Sequence, residues 1–455
     1  MKSRPSTALM ARPSFSFSML LLLIAALWLA GGASRADASG QIIVRVAAWA
    51  TMCAAALFGA PSRLSEERPI VLLLGAAVLL AAMQLVPLPP ALWQALPGRA
   101  LASEAATISG QSQPWRPWAM VPGAAWNALS SLAIPVAILL LTTGSRPEER
   151  RLLPSIMLFL ICVSAFLGLL QFSGKVFTNP FVNDTMGQVS ATFANRNHFA
   201  LFIAFGCAIA PAWTFLGGRR PGWRGPVTLG LLPIFILIIL ASGSRAGMLA
   251  GLVGLAAGLA MAWRPLRQEL GRRPPWVGWA LVGGLVAAII LLTALSIAAD
   301  RAVSISRALT LDNGHDMRQR GLPTVIEMLR SYFPVGSGAG GFDPMFRMNE
   351  PFDLLKITYF NHAHNDYLEI VLDAGIAGLL VLICAIGWWL WKSFHAWRQV
   401  EVLPRLGSIL LMLVLIASMF DYPARTPLVM ATMVIAGIWL NGTRDLVRPA
   451  LPVRG

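Results

Sequence analysis

Long apolar runs recur along this sequence from one end to the other. About twelve of them are roughly 17 to 25 residues long, the length at which an α-helix crosses a hydrocarbon core about 30 Å thick. They lie near 17–34, 41–60, 69–88, 126–143, 152–171, 198–216, 225–242, 245–263, 276–298, 367–390, 406–421 and 425–441. This pattern predicts an all-α, polytopic membrane protein with about twelve transmembrane helices and residues 1–455 in one membrane domain.

The composition supports the same class. Hydrophobic residues make up 56% of the chain, charged residues 13%, and the mean hydropathy is +0.66, values that exclude an ordinary soluble protein. The four cysteines lie inside apolar runs with no C-x-x-C spacing, which favours packing roles over a disulfide or a metal site.

The charges of the short loops predict the orientation. With the N-terminus in the cytoplasm, every short loop on that side is basic, as the positive-inside rule requires. Much of the net charge of +15 therefore comes from the basic residues that set the orientation in the membrane. The sequence contains no nucleic-acid-binding module. Three longer loops, near 89–125, 172–197 and 299–366, then face outward. The first run could instead be a cleaved signal peptide, which would leave this topology unchanged.

The loop 299–366 differs from the others in its charge. From Asp300 to Lys356 it holds seven basic and seven acidic residues, and the spacing of its apolar residues predicts a helix near 317–332. Long ordered loops commonly carry function. We therefore expect a membrane enzyme or a transporter that works on the outer face of a cytoplasmic membrane.

The segment from Phe360 to Gly378 places His362 and His364 at the start of the tenth apolar run. Titratable groups at the mouth of a membrane helix are costly, so they indicate a site. The D-x-x-E sequence that begins at Asp366 has the form of a capping box, which predicts a helix starting just after Asn365. A histidine immediately before a helix N-terminus is favoured in its neutral form and can act as a general base. The alternative is a pair of surface histidines that cap a helix.

Two further polar clusters lie at predicted helix mouths. Asn195, Asn197 and His198 lead into the sixth run; they could bind a substrate or only cap the helix. Arg245, in the sequence S-G-S-R between the seventh and eighth runs, could snorkel to lipid headgroups or bind a phosphate through its two-pronged guanidinium. The glycines that follow, from Gly247 to Gly258, have G-x-x-x-G spacing and predict close helix packing.

Three other features carry weaker signals. The glycine-rich stretch Gly336–Gly341 lacks the Lys-Ser/Thr of a nucleotide loop, so we expect a flexible turn that approaches a substrate. Arg45 lies near the outer end of the second run, where snorkelling would explain it. His362 and His364 have no third ligand nearby, so no metal site and no cofactor are expected.

The spacing that begins at His364 resembles a known family. His364-Asn365, nine residues, then Gly375 and Gly378 resemble the H-[NSQ]-x9-G-x-x-[GTY] signature of the bacterial O-antigen ligases, whose relatives include O-antigen polymerases and protein O-oligosaccharyltransferases. The resemblance covers residues 190–380 most strongly. One departure is Arg196, where many relatives have proline between the two asparagines.

The resemblance implies a GT-C-like, inverting, metal-independent glycosyltransferase of the bacterial inner membrane with its active site facing the periplasm. The donor would be an oligosaccharide or polysaccharide on undecaprenyl diphosphate. The acceptor would be a hydroxyl of lipid A–core in lipopolysaccharide biosynthesis, or a growing glycan. By carry-over, His364 would be the base, and Arg245 and, more loosely, Arg318 would bind the leaving diphosphate. Asn365, Asn195, Asn197, His198 and His362 would bind substrate.

The alternatives within this interpretation are an O-antigen or exopolysaccharide polymerase and a protein O-oligosaccharyltransferase. The match of the H-N-x9-G-x-x-G form to the ligase signature favours the ligase. A glycolipid transporter is disfavoured because the polar clusters lie at helix mouths and not at the midplane, where transporter sites usually lie.

Overall fold

The computed structural model describes residues 12–174, 177–183, 187–216, 218, 220–276, 280, 283–284, 287, 290, 317–355 and 360–442. These residues form a helical membrane bundle. The strands found among them, β1 (Pro87–Leu88) and β2 (Arg116–Pro117), form one short antiparallel pair. The predicted all-α, polytopic class is therefore confirmed.

The helices follow in chain order: α1 (Phe15–Ala30), α2 (Ser39–Phe58), α3 (Arg68–Met83), α4 (Pro90–Ala95), α5 (Ala100–Ile108), α6 (Pro122–Ser131), α7 (Ala133–Gly144), α8 (Pro147–Arg150), α9 (Leu153–Phe172), α10 (Arg196–Phe215), α11 (Arg224–Ala241), α12 (Arg245–Leu270), α13 (Met317–Tyr332), α14 (Phe342–Asn349), α15 (Asp366–Arg398), α16 (Val402–Ala417) and α17 (Pro427–Asn441). Short 3-10 turns cover Leu64–Glu67, Phe352–Leu354 and Pro423–Arg425.

The helices correspond closely to the predicted spans. Within the described residues, seven helical segments are long and apolar enough to cross a membrane, and α1, α16 and α17 are shorter apolar helices. The third predicted span is the 16-residue α3. The predicted span 276–298 and the first part of the loop 299–366 lie largely outside the described residues.

Helix α10 is the central element of the bundle, and 94% of the residues in its apolar stretch are buried. The glycines of α12 pack directly on it: a Cβ at Gly247 would lie 2.3 Å from Ala200 Cβ, and one at Gly254 would lie 2.8 Å from the Ala204 carbonyl oxygen. Glycine thus lets the two backbones approach. This contact is the close helix packing that the G-x-x-x-G spacing predicts.

A second, smaller core lies beside the N-terminal end of α15. Val325, Met328 and Tyr332 of α13 pack with Phe342 and Phe346 of α14. Helix α13 has the predicted boundaries, 317–332. The apolar spacing that predicts this helix consists of Leu322, Val325, Ile326 and Leu329. The buried face differs from it in part, because Leu322 and Ile326 are exposed while Met328 and Tyr332 are buried. The long loop is therefore folded where the structure describes it, and it packs against the helix that follows His364.

Helix α15 is kinked at Gly375, which has φ 55° and ψ −138°. The segment Pro334–Gly338 docks on the kink: the Ile376 N–H donates to the Pro334 carbonyl at 2.8 Å, and the Ser337 N–H donates to that of Leu372 at 2.7 Å. A Cβ on Gly375 would lie 1.9 Å from the Pro334 oxygen, so only glycine fits.

The glycine-rich stretch forms the predicted turn, but hydrogen bonds hold it in place, so it is not the flexible segment expected from the sequence. Arg99 donates hydrogen bonds to the carbonyls of Gly336 and Trp118, and Gln84 accepts one from the Ala339 N–H. Burial lowers the pKa of Arg99 to about 10. The segment is a brace that holds the kink of α15.

Candidate functional site

Asp421, in the turn between α16 and α17, lies at the centre of the polar groups predicted from sequence. Its side chain is 2% exposed. Oδ1 lies 3.1 Å from His364 Nδ1, and Oδ2 accepts hydrogen bonds from the amides of Asn195 at 3.1 Å and Asn197 at 2.5 Å. Arg318 Nη2 lies 3.4 Å from the same Oδ2. We call this group of residues the Asp421 cluster.

The charge state of Asp421 follows from this environment. Burial by itself would raise the pKa of the carboxyl, but the imidazoles of His198 and His364 outweigh it and hold the pKa well below its usual value. An ionised carboxylate only accepts hydrogen bonds, so Nδ1 of His364 is the donor. In a neutral imidazole that donates through Nδ1, the Nε2 atom carries the lone pair, which is the arrangement of a base oriented by a carboxylate.

His364 has an unusual backbone. Its φ is 50°, in the left-handed region that residues other than glycine seldom adopt. The next residue, Asn365, caps α15: its Oδ1 accepts from the Leu368 N–H at 3.1 Å, and its Nδ2 donates to the Met419 carbonyl at 3.2 Å. Strained residues held in this way are concentrated at functional sites. The Asn365 side chain therefore makes its hydrogen bonds to the first turn of α15 and to the α16–α17 turn.

Arg318, at the start of α13, connects the long loop to this cluster. Its Nη1 donates to the Phe420 carbonyl at 3.0 Å, and its side chain remains 37% exposed. The structure therefore brings Arg318 and His364 to the same carboxylate, although 45 residues separate them in the sequence. A cation here can face an anionic group outside the protein.

The Asn195–His198 segment forms the first turn of α10. Asn195 caps this helix by accepting from the Asn197 N–H at 2.8 Å. His198 is 2% exposed, its Nδ1 lies 2.8 Å from Thr426 Oγ1, and its Nε2 lies 3.8 Å from Asp421 Oδ1, beyond hydrogen-bond range. These groups contact Asp421 and the α16–α17 turn, so they are placed to orient the carboxylate rather than to reach a substrate.

Arg245 is exposed at the start of α12, and the structure gives it no hydrogen bond or ion pair within the described residues. Ser244 caps α12 by accepting from the Gly247 N–H at 2.8 Å. Because Gly247 packs on Ala200, Arg245 lies at the same end of the bundle as Asn197 and His198. The structure does not bring Arg245 into contact with the Asp421 cluster.

A second charged cluster surrounds Arg425, which lies in the same turn as Asp421. Its guanidinium lies 3.4 Å from Asp366, 3.3 Å from Glu369 and 3.0 Å from Asp373. Glu369 also lies 2.7 Å from His362 Nδ1. The expected capping box at Asp366 and Glu369 is therefore wrong: Asn365 is the cap, and both carboxylates face Arg425. We call this group the Arg425 cluster.

Tyr422 lies between the two clusters. Its ring centroid is 4.0 Å from that of His362, 5.0 Å from that of His364 and 5.1 Å from that of His198. Its hydroxyl accepts a hydrogen bond from Asn361 at 3.3 Å. Burial, with the nearby Asp421 charge, raises the pKa of Tyr422, so the phenol stays neutral.

A groove-shaped cavity of about 900 Å³ opens beside the Arg425 cluster. Its lining includes His362, Asp366 and Tyr367 together with apolar residues of α3, α15, α16 and α17. His364 is not part of the lining. His362 therefore connects the cavity to the ring of Tyr422.

Asp421, Tyr422 and Arg425 were missed by sequence reasoning, which assigned Asp421 and Arg425 to the ends of the last two spans. One signal was available: a sequence D-Y-P-A-R between two apolar runs puts two charges at a membrane boundary. The spacing of Asp366, Glu369 and Asp373 on one helical face was a second signal.

Among the residues that the structure describes, no group of three or more His, Cys, Asp or Glu residues could hold a metal ion. The described residues can transfer a proton through an oriented imidazole and bind anions through arginine.

Two comparisons bear on identity. Residues 230–383, about a third of the chain, match the family model described as O-Antigen ligase, and this region contains Arg245, Arg318 and His364. A 77-residue segment is 32% identical to the probable peptidoglycan glycosyltransferase FtsW of Thioalkalivibrio sulfidiphilus (strain HL-EbGR7). That similarity covers 16% of this chain and 18% of the relative's length.

The family match falls on the region where the His364 motif and the arginines lie, and it confirms the resemblance seen in the sequence: residues 230–383 of this membrane protein are similar to the O-antigen ligase family.

Proposed function

We propose that this protein transfers a glycan from undecaprenyl diphosphate to an acceptor hydroxyl at the periplasmic face of the bacterial inner membrane. The observation that carries the proposal is the hydrogen bond from His364 Nδ1 to the buried, ionised Asp421 at 3.1 Å. The family match and the similarity to a glycosyltransferase support the reaction class.

In this mechanism His364 Nε2 takes the proton of the acceptor hydroxyl as its oxygen attacks the anomeric carbon. The bond between that carbon and the diphosphate oxygen breaks, and its electron pair leaves with the diphosphate, so the configuration inverts. Asp421 stabilises the imidazolium that forms, while Asn195 and Asn197 hold Asp421 in place. General-base assistance of this kind contributes about 10²- to 10⁴-fold in rate.

Arg318 would stabilise the charge that develops on the leaving diphosphate, because its exposed guanidinium lies beside the proposed base. Arg245 has no protein partner among the described residues and lies at the same end of the bundle, so it is a second candidate for this role. His198 and Asn365 become positioning residues in this proposal, since their contacts are with Asp421, Thr426 and the α16–α17 turn.

The acceptor we propose is lipid A–core, as in O-antigen ligases. The second candidate is extension of a glycan chain on its carrier, which the similarity to a peptidoglycan glycosyltransferase supports. A deletion strain separates them. A ligase predicts loss of the entire lipopolysaccharide ladder with accumulation of lipid-linked polymer. A product that carries one repeat unit would instead identify a polymerase, and an unchanged ladder would contradict both.

A further inference from the structure

Tyr422 contacts both partners of the hydrogen bond on which the proposed mechanism depends. Its backbone N–H donates to Asp421 Oδ1 at 3.0 Å, and this is the oxygen that lies 3.1 Å from His364 Nδ1. Its ring centroid lies 5.0 Å from that of the His364 imidazole, at an interplanar angle of 59°. Tyr422 is therefore placed to influence the geometry of the base as well as that of its carboxylate.

The hydrogen bond to Asp421 does not by itself fix the orientation of the His364 ring. A bond at Nδ1 sets the tautomer, but the imidazole can still tilt about it, and a tilt moves Nε2 away from an acceptor hydroxyl. Two aromatic rings limit this motion: Phe360 and Tyr422 each have their centroid 5.0 Å from that of His364. Both distances lie within the roughly 4.5–7 Å over which aromatic rings attract each other.

Several contacts hold the Tyr422 ring in turn. Tyr422 is buried, its hydroxyl accepts from the Asn361 amide at 3.3 Å, and its ring meets that of His198 edge-on. The His362 ring lies closest, with its centroid at 4.0 Å, and His362 Nδ1 is fixed at 2.7 Å from the buried Glu369. The ring is thus a rigid wall, because neighbours from α10 and from the segment before α15 pack on it.

We propose that Tyr422 is a positioning residue for the proton transfer, whose ring keeps the His364 imidazole in the orientation in which Nε2 reaches the acceptor hydroxyl. The ring makes the contact with His364, whereas the hydroxyl bonds to Asn361. The role therefore needs an aromatic side chain and does not need a phenol. A misplacement of about 1 Å can cost about 10²-fold in rate, so the orientation of a base matters. This assignment rests on the proposed function and adds the residue that orients its base.

Steady-state glycan transfer by the full-length protein in proteoliposomes tests the proposal. Tyr422→Met fills much of the same space without a ring, so we expect kcat to fall about 10- to 100-fold while KM for donor and acceptor stays within about threefold. Tyr422→Phe keeps the ring and should retain a kcat within about threefold of wild type. Phe235→Met, which removes a buried ring that packs on Gly206 in the bundle core, is the matched control and should keep its kcat.

A double-mutant cycle with His364→Ala separates positioning from packing. If Tyr422 acts through His364, Tyr422→Met should change the residual transfer of His364→Ala by less than about twofold, because the group that it orients is gone. An equal loss in both backgrounds, or a wild-type kcat in Tyr422→Met, would overturn the proposal.

Tyr422→Phe keeps the test decisive even where Tyr422→Met does not fold, since a kcat lowered about tenfold in Tyr422→Phe would contradict a role carried by the ring. Failure of the proposed function gives a different result: His364→Ala would then transfer glycan at the wild-type rate whichever residue occupies position 422.

Discussion

Asp421 Oδ1 lies 3.1 Å from His364 Nδ1, a contact between two residues that are 57 positions apart in the chain. One belongs to the turn between α16 and α17, and the other precedes the first residue of α15. Two amides, a second imidazole and an arginine surround the same carboxylate. The contact gives the histidine of the family motif an orienting partner outside the region 230–383 that matches the family model.

Replacement of Asp421 by asparagine should reduce turnover by about 10²-fold or more while the donor still binds. Asparagine keeps the shape of the side chain but carries no charge, so it neither fixes the required tautomer of His364 nor stabilises the imidazolium. Steady-state transfer rates in proteoliposomes measure the effect. Turnover within a few fold of wild type would show that Asp421 does not orient the base.

The pH dependence of stability follows from the same carboxyl group. The folded-state pKa of Asp421 is depressed, so its ionised form contributes stability that is fully present above the unfolded-state pKa of about 4 and is lost as pH falls through the folded-state pKa. The difference in Tm between wild type and Asp421→Asn should thus be constant from pH 8 to about 5 and shrink only below about 4. A difference that disappears between pH 7 and 5 would contradict the depressed pKa.

Arg425 should be essential for folding. Truncation to methionine leaves Asp366, Glu369 and Asp373 buried without their cation, and breaking a buried ion pair costs about 3 to 5 kcal/mol. We expect Arg425→Met to lose most of the monodisperse protein in size-exclusion chromatography of detergent extracts. Arg330→Met, on the exposed side of α13, is the control; equal yields of the two variants would argue against a stabilising role.

Gly375 and Gly387 offer a matched pair within α15. Gly375→Ala places a Cβ 1.9 Å from the Pro334 oxygen at a residue with φ 55°, whereas a Cβ at Gly387 meets nothing within 4 Å. We expect Gly375→Ala to lower Tm, because a strained backbone residue costs about 1 to 3 kcal/mol even before the clash. Gly387→Ala should leave Tm unchanged or raise it slightly. Similar melting temperatures for both would refute the docking of the brace on the kink.

The sequence predicts the helical class, most span positions, helix α13 and the start of α15, because apolar length and capping residues are local signals. It also selects His364, since the spacing to Gly375 and Gly378 is local too. Asp421 and Arg425 could not be placed in this way. Their charged side-chain partners lie at least 52 residues away in the sequence, and only the packing of α16 and α17 against α15 and α10 brings them together. Hydropathy likewise cannot predict the contacts of Arg45, because it is the same whether the side chain snorkels or bonds to Asn127.

Replacement of Arg245 by lysine distinguishes phosphate binding by this residue from snorkelling to lipid headgroups. Arg245→Lys keeps the charge but replaces the guanidinium fork with a point donor, so we expect most of the activity to be lost if Arg245 binds the diphosphate. Arg267→Lys, exposed near the other end of α12, is the control. Wild-type turnover in Arg245→Lys would return this residue to the snorkelling interpretation.

The most direct test is glycan transfer by purified His364→Ala protein in proteoliposomes that contain lipid-linked donor and acceptor. His395→Ala, an exposed histidine near the far end of the same helix, serves as the control. With His364 as the base, the His364→Ala protein inserts and binds donor, yet its transfer rate falls by at least about 10²-fold, while His395→Ala remains active. Consumption of the lipid-linked glycan by His364→Ala at the wild-type rate would contradict the mechanism.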